Sequence, residues 1–250
     1  MMKWYRADLH IHTVLSPCGG LDMTPERIID EALKKKLDII AITDHNTTKQ
    51  CKEVMEVGKE MELMVIGGAE VNSREEVHCV TLFESGERLE EFQVFLDAKL
   101  PEILNIPEKF GHQVWVNRYE EIQGEEQRLL WSALNASMEE IVKEVYRLNG
   151  MFFPAHIDRM INGMLRQLGF VPADLKADAL EVLFLNDQKI AEVKDKNRRF
   201  SIITNSDAHE PEHIGRRFTW LKMKEPSFEE VRKALNQQDG REAKPGTGKI

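Results

Sequence analysis

Short, almost wholly apolar runs recur along this chain with amphipathic stretches between them. That alternation limits the fold more than any other feature. Asp38-Ile39-Ile40-Ala41-Ile42-Thr43, Leu63-Met64-Val65-Ile66-Gly67-Gly68-Ala69 and Phe200-Ser201-Ile202-Ile203-Thr204 have the length and branched content of buried strands. Residues 77–83, Met151-Phe152-Phe153-Pro154-Ala155-His156 and Ala179-Leu180-Glu181-Val182-Leu183-Phe184-Leu185 read the same way. Strands apolar on both faces belong to a parallel sheet covered by helices. Residues 4–13 form an opening strand, and Phe218-Thr219-Trp220-Leu221 a late one. Thr24-Pro25-Glu26 predicts a helix to about residue 36, with proline pre-set for the first turn. A second helix is expected over about residues 49–61, and a last one after the Ser227-Phe228-Glu229-Glu230 cap.

The rhythm breaks between residues 84 and 149. An amphipathic helix is expected over 89–104, then a short hairpin around Val114-Trp115-Val116. Two helices follow, the second opening with the capping box Ser137-Met138-Glu139-Glu140. This stretch is an expected helical insertion or lid, one that would set substrate size. Its Trp115, Tyr119 and Trp131 suit either internal packing or stacking on a nucleobase. The 250-residue length fits one α/β barrel domain over residues 1–238, and residues 239–250 read as a mobile tail.

Several classes are disfavoured early. No run approaches the roughly 18 apolar residues of a membrane span. The first residues carry no apolar secretory stretch, and the three cysteines, Cys18, Cys51 and Cys79, have no paired spacing. A reducing, cytoplasmic setting is expected. Cys51 reads as a helix residue and Cys79 as a strand residue. With 34 basic against 43 acidic residues the formal charge is −9, which disfavours long nucleic acid as a partner.

Polar residues cluster where the strands end. His10 and His12 close the first strand two residues apart, and so on one side of it. Thr43-Asp44-His45 closes the second and Glu70 the third; His78 lies near the start of the fourth. His156 follows a strand, as does Asn205-Ser206-Asp207-Ala208-His209. A lone histidine at such a place is usually a satisfied hydrogen-bonding residue. His112 takes that reading, and His213 is at most a substrate contact at the pocket mouth. Six histidines and two acids at strand termini are a different matter, because barrels and open sheets keep their chemistry there. Imidazole with carboxylate suits Zn²⁺, Mn²⁺ or Fe²⁺, and so many donors suit two or three ions rather than one. Ions held close together assist phosphoester hydrolysis.

The set Asp8-Leu9-His10-Ile11-His12-Thr13, Thr43-Asp44-His45, Gly68-Ala69-Glu70-Val71, His78, Pro154-Ala155-His156 and Ser206-Asp207-Ala208-His209 resembles the PHP (polymerase and histidinol phosphatase) family of metal-dependent phosphoesterases. The resemblance implies a distorted (β/α)7 TIM-like barrel with a trinuclear site and a nucleophilic hydroxide bridging the ions. It implies His10, His12, Glu70 and Asp207 on the first ion and His45 and His209 on the second. Glu70, His78 and His156 would hold the third. One departure stands out: many members place an acid or histidine where this chain has Pro17 and Cys18. Cys18 either ligates as a thiolate or is a loop residue beside Gly19-Gly20.

The expected activity is hydrolysis of a small phosphate monoester or diester, such as a nucleotide, a sugar phosphate or a histidinol-phosphate-like compound. Asp207 and His209 are candidates for proton handling as well as ligation, and Asp44 for orienting a ligating histidine. Arg159 is the leading phosphate contact and Arg216 the next, with Arg217 beside it; a surface ion pair is the plain reading of each. The alternatives are trimming of nucleic-acid ends and a metal-binding module without turnover.

Overall fold

The computed structural model describes residues 1–183, 193, 197 and 199–247. The chain runs β1 (Lys3–Ile11), α1 (Pro25–Lys34), β2 (Ile39–Ile42), α2 (Cys51–Glu60), β3 (Met64–Asn72), β4 (His78–Phe83) and α3 (Gly86–Lys99). Next come α4 (Pro107–Phe110), β5 (Val114–Val116), β6 (Ile122–Glu125) and α5 (Met138–Arg147). The chain continues with β7 (Met151–Pro154), α6 (Met164–Gln167), β8 (Ala179–Glu181), β9 (Ser201–Ile203), β10 (Arg217–Met223), α7 (Phe228–Leu235) and β11 (Glu242–Thr247). Phe184 and Leu185, counted in the strand that became β8, lie outside the described residues.

The architecture is mixed α/β: a curled seven-stranded half-barrel in the order β11-β10-β1-β2-β3-β4-β7, a distorted barrel as expected. Parallel β8 and β9 sit between its two ends, β8 against β7 and β9 against β11. Only the β1–β2 and β2–β3 pairings are parallel in the large sheet; β4 runs against its neighbours β3 and β7, and β10 against β1 and β11. The all-parallel expectation fails at β4 for a simple reason. Residues 73–77 are too few for a crossover, so β3 and β4 form a hairpin.

Alternation along the strands sorts the core into two layers. Ile40, Ile42, Ala69, Phe83 and Phe152 face outward under the helices, where Ile28, Ile29 and Ala32 of α1, Val54 of α2, Phe92 of α3 and Ile141 of α5 meet them. Ala7, Leu9, Ile39, Ala41, Ile66, Val80, Leu82, Met151, Phe153 and Ile203 face inward, above Phe228, Val231 and Leu235 of α7. The helices start where the chain chemistry allows. Pro25 opens α1, and the Ser137–Glu140 capping box opens α5. Ser227 caps α7 by accepting from the Glu230 amide.

Two other expectations are corrected. The first of the two helices expected after residue 123 does not form. Those residues instead make β6 and a loop in which Gln113 binds Glu126, Arg128 and Leu130 through their backbones. The expected mobile tail contributes β11, which pairs with β10 from Glu242 to Thr247; residues 248–250 lie outside the described ones. No helix among the described residues is long and apolar enough to cross a membrane.

Candidate metal centre

The inward layer turns polar at one end of the barrel. The inward parity of β3, Ile66 then Gly68, ends on Glu70; that of β4, read backward from Leu82 and Val80, ends on His78. Because β4 is antiparallel, its ligand comes at its start. Gly68 permits the hairpin's close approach, since a Cβ there would collide with the Thr81 carbonyl. Ala179 leads to Glu181, and Ile203 to Asn205 and Asp207.

The parity of β1 does not deliver its histidines unaided. Leu9 faces inward, so a regular strand would turn His10 and His12 out. Between Asp8 and Ile11 the pairing with β2 shifts: Asp8 opposes Ile40 and Ile11 opposes Ile42, three steps against two. This bulge sends Ile11 to the outer layer and both imidazoles inward. His156 and Asp207 are reached through backbone strain instead, with φ of +29° and +50°.

Glu70 is the hub. Its Oε1 lies 2.8 Å from His156 Nε2, 2.9 Å from His78 Nδ1 and 3.4 Å from His10 Nε2. Its Oε2 lies 3.1 Å from His45 Nδ1 and 3.3 Å from His12 Nε2. Asp207 Oδ1 stands 3.4 Å from His12 Nε2. Apart from partly exposed His209 and Cys18, these residues are buried. Donor atoms fall into three groups, each within 4.8 Å: His10, His12, Glu70 and Asp207; His12, Cys18, His45 and His209; and His45, Glu70 and His78. His156 touches Glu70 without entering a group.

Further residues aim these donors. His10 Nδ1 lies 3.0 Å from Glu181 Oε2, which also accepts from the His156 amide, while Asn205 donates to Glu181 Oε1. Ser16 Oγ donates to Asp44 Oδ1, so it accepts at 2.9 Å from His12 Nδ1. His10 and His12 thus both turn Nε2 to the site, 3.3 Å apart. Asp44 has its oxygens taken by the Thr13 amide, the Thr13 hydroxyl and Ser16, which makes it a support for His12. Sequence reasoning missed Glu181 and Ser16. A single acid in the apolar run from residue 179 to 185 was the available signal for the first.

The electrostatics call for positive charge. Burial pushes the Glu70 carboxyl up, but His78, His10 and His45 reverse this and hold it well below the ordinary range. Asp207 follows the same pattern, burial opposed by His10 and His12. Burial lowers His12, yet the carboxylates of Asp207 and Glu70 beside it raise it to about 9. Burial and then the charge of His12 bring His209 down to about 4. Burial, with Glu70 and Asp207, pushes the Cys18 thiol up. His45 Nδ1, His156 Nδ1 and Asp207 Oδ1 are buried without hydrogen-bond partners. Orphaned donors converging on a shared carboxylate fit divalent ions.

The remaining sequence candidates lie at the rim or beyond it. Arg159 donates to Asp207 Oδ2 at 3.2 Å with its side chain 42% exposed. Arg216 and Arg217 donate to the carbonyls of Asn205 and Ser206, which ties down the loop carrying Asp207. His213 is exposed in the 3-10 turn Pro211–His213. His112 pairs with Glu125 at the surface. Cys51 and Cys79 are buried in α2 and β4.

A half-barrel with buried His, Glu and Asp donors at one end defines a protein built around a multi-metal site. The PHP domain family model matches residues 8–196, and a PHP-associated model matches residues 190–239. The chain belongs to the PHP domain family of metal-dependent phosphoesterases. It is 26% identical to the uncharacterized protein YqxK of Bacillus subtilis, over 96% of this chain and 64% of that protein. The lesion-specific endonuclease PfuEndoQ from Pyrococcus furiosus superposes with a TM-score of 0.76 at 23% identity, over 96% of this chain and 58% of that one. Endonuclease Q in complex with a 27-mer duplex bearing an abasic lesion at the active site gives 0.71 at 21% identity, with the same coverage. The chain therefore spans less than two-thirds of each of these relatives, and the structural likeness speaks for the fold.

Proposed function

We propose that this chain hydrolyses phosphoesters with two or three divalent ions held around Glu70. The observation that carries the reading is Glu70 itself: one ionised carboxylate with five imidazole nitrogens within 3.4 Å and no arginine or lysine paired to it among the described residues. His10, His12, Glu70 and Asp207 would hold one ion, His45 and His209 a second, and Glu70, His78 and His156 a third. Such ions polarise phosphoryl oxygens and activate water at neutral pH. Arg159 at the rim is placed to swing from Asp207 to a substrate phosphate. His209 gives its Nδ1–H to the Asp207 carbonyl at 2.8 Å, which leaves its Nε2 lone pair for the second ion.

A small phosphorylated substrate agrees with the −9 charge, since the ions and not a basic surface would supply the attraction. The endonuclease Q likeness favours a second reading, cleavage of a DNA strand. Trp131 supports that reading too: it stands edge-on 6.3 Å from the His45 ring and is 41% exposed, an available stacking platform. The test is a phosphoester panel with metal-loaded protein, run beside lesion-bearing duplex. Turnover of nucleotides or sugar phosphates at all salt concentrations supports the small substrate. Duplex cleavage that collapses as salt rises supports the second reading. A full metal load with neither activity sinks both.

A further inference from the structure

We infer that the ions of this centre are not alike: the one beside His45 and His209 is held by the thiolate of Cys18, and this site selects a thiophilic ion such as zinc. The inference rests on the multi-metal reading above. The loop that delivers Cys18 is tightly fixed. Ser16 and Gly19 amides donate within the turn to Thr13 and Ser16 carbonyls, and the Gly20 amide donates to the His209 carbonyl at 2.8 Å. A Cβ at Gly19 would collide with the Thr13 carbonyl, so the turn needs that glycine. The result sets the Cys18 sulfur with donor nitrogens of His12, His45 and His209, all within 4.8 Å of one another.

The other two cysteines behave differently. Cys51 directs its thiol to the Gly68 carbonyl at 3.3 Å and Cys79 to the Val77 carbonyl at 3.8 Å. Cys18 has no hydrogen-bond partner of that kind among the described residues. A second sign comes from His209, which gives its Nδ1–H to the Asp207 carbonyl and so keeps an Nε2 lone pair, while His45 Nδ1 is buried 3.1 Å from Glu70 Oε2 without a hydrogen bond. His12 has one free nitrogen, committed to the His10, Glu70 and Asp207 group, which leaves Cys18, His45 and His209 as three donors. Three protein donors with an open fourth position are the usual arrangement of a reactive zinc site. Thiolate prefers zinc over manganese, whereas the remaining positions offer only nitrogen and oxygen. On loading, the S–H proton leaves to solvent and the sulfur–metal bond takes its place.

Chelator-stripped full-length protein reloaded with cobalt(II) tests this. The expected result is a sulfur-to-cobalt charge-transfer band in the near ultraviolet that Cys18→Ser abolishes while other ions still bind. Zinc affinity of that site should fall at least about 100-fold in the variant, since losing a ligand costs no less than losing a group that merely orients one. Cys18→Asp should let manganese displace zinc there. A measurement on the unaltered chain guards against a variant that fails to fold: zinc should protect Cys18 from alkylation, mapped by mass spectrometry. Ion uptake with no such band and no protection overturns the inference and leaves the multi-metal reading standing. No ion uptake at all overturns both.

Discussion

Glu70 and Glu230 are both shielded carboxylates with many partners, and they occupy opposite ends of one half-barrel. Lys3, at the foot of β1, pairs with Met223, next to the Lys224 amide that Glu230 accepts at 2.8 Å. Glu230 also receives Arg241 through Nη2 at 2.6 Å and Nε at 3.1 Å. A guanidinium carries its charge permanently, so this pair is complete as folded, and it anchors β11 against α7. Glu70 is surrounded by imidazoles, which carry positive charge only when protonated. An ion that binds takes their lone pairs and displaces those protons. The same residue type thus does two jobs. At the foot the chain provides both charges permanently and gains stability; at the other end the positive charge sits on protons that an ion can replace.

The sharpest way to break this contrast is to remove a donor. Asp207→Ala and His12→Ala should each cut turnover at least about 100-fold while circular dichroism stays unchanged. Activity surviving both would mean that the cluster is not the reacting site. Glu181→Gln probes one step further out. It keeps the shape but weakens the hold on His10 and His156, so ion affinity should drop about 10- to 100-fold by calorimetric titration, with the melting temperature nearly constant without metal. A large loss of stability instead would place Glu181 with Glu230 as a structural acid.

Glu230→Gln should do the reverse, lowering the melting temperature by a few degrees without changing ion count or turnover. Its pH signature has a definite sign. The hydrogen bond from Arg241, chiefly, holds the Glu230 carboxyl at about 2, below its ordinary 4.5. A depressed carboxyl stabilises the fold above its unfolded value and loses that contribution as pH falls toward 2. Melting curves of the two proteins should therefore differ at pH 6 and converge near pH 2. A constant gap would remove Glu230 from the account of acid stability.

The donor end was largely legible from sequence because polar residues interrupting apolar strand ends are conspicuous. His10, His45, Glu70, His78 and Asp207 all stood out that way. What stayed hidden depends on pairing partners. Glu-Ala-Lys-Pro-Gly-Thr has no apolar alternation to announce β11; it becomes a strand because β10 offers an edge, and Pro245 is tolerated on an outer strand. The antiparallel entry of β4 hid in the same way, since the apolar run of a buried strand carries no direction. Ser16 was invisible because its role exists only once Asp44 and His12 converge on it.

The β1 bulge has a consequence for how such a centre is gained and lost. Were the same residues of β1 to pair with β2 in regular alternation, both histidines and every other donor would remain in the chain, yet the imidazoles would turn toward the outer layer and Ile11 would stand among the remaining donors. Residue identity would be preserved and the chemistry gone. In this stretch the pairing register matters as much as the residues themselves, so the bulge, and not only the spacing of the two histidines, is the feature to compare among chains of this fold.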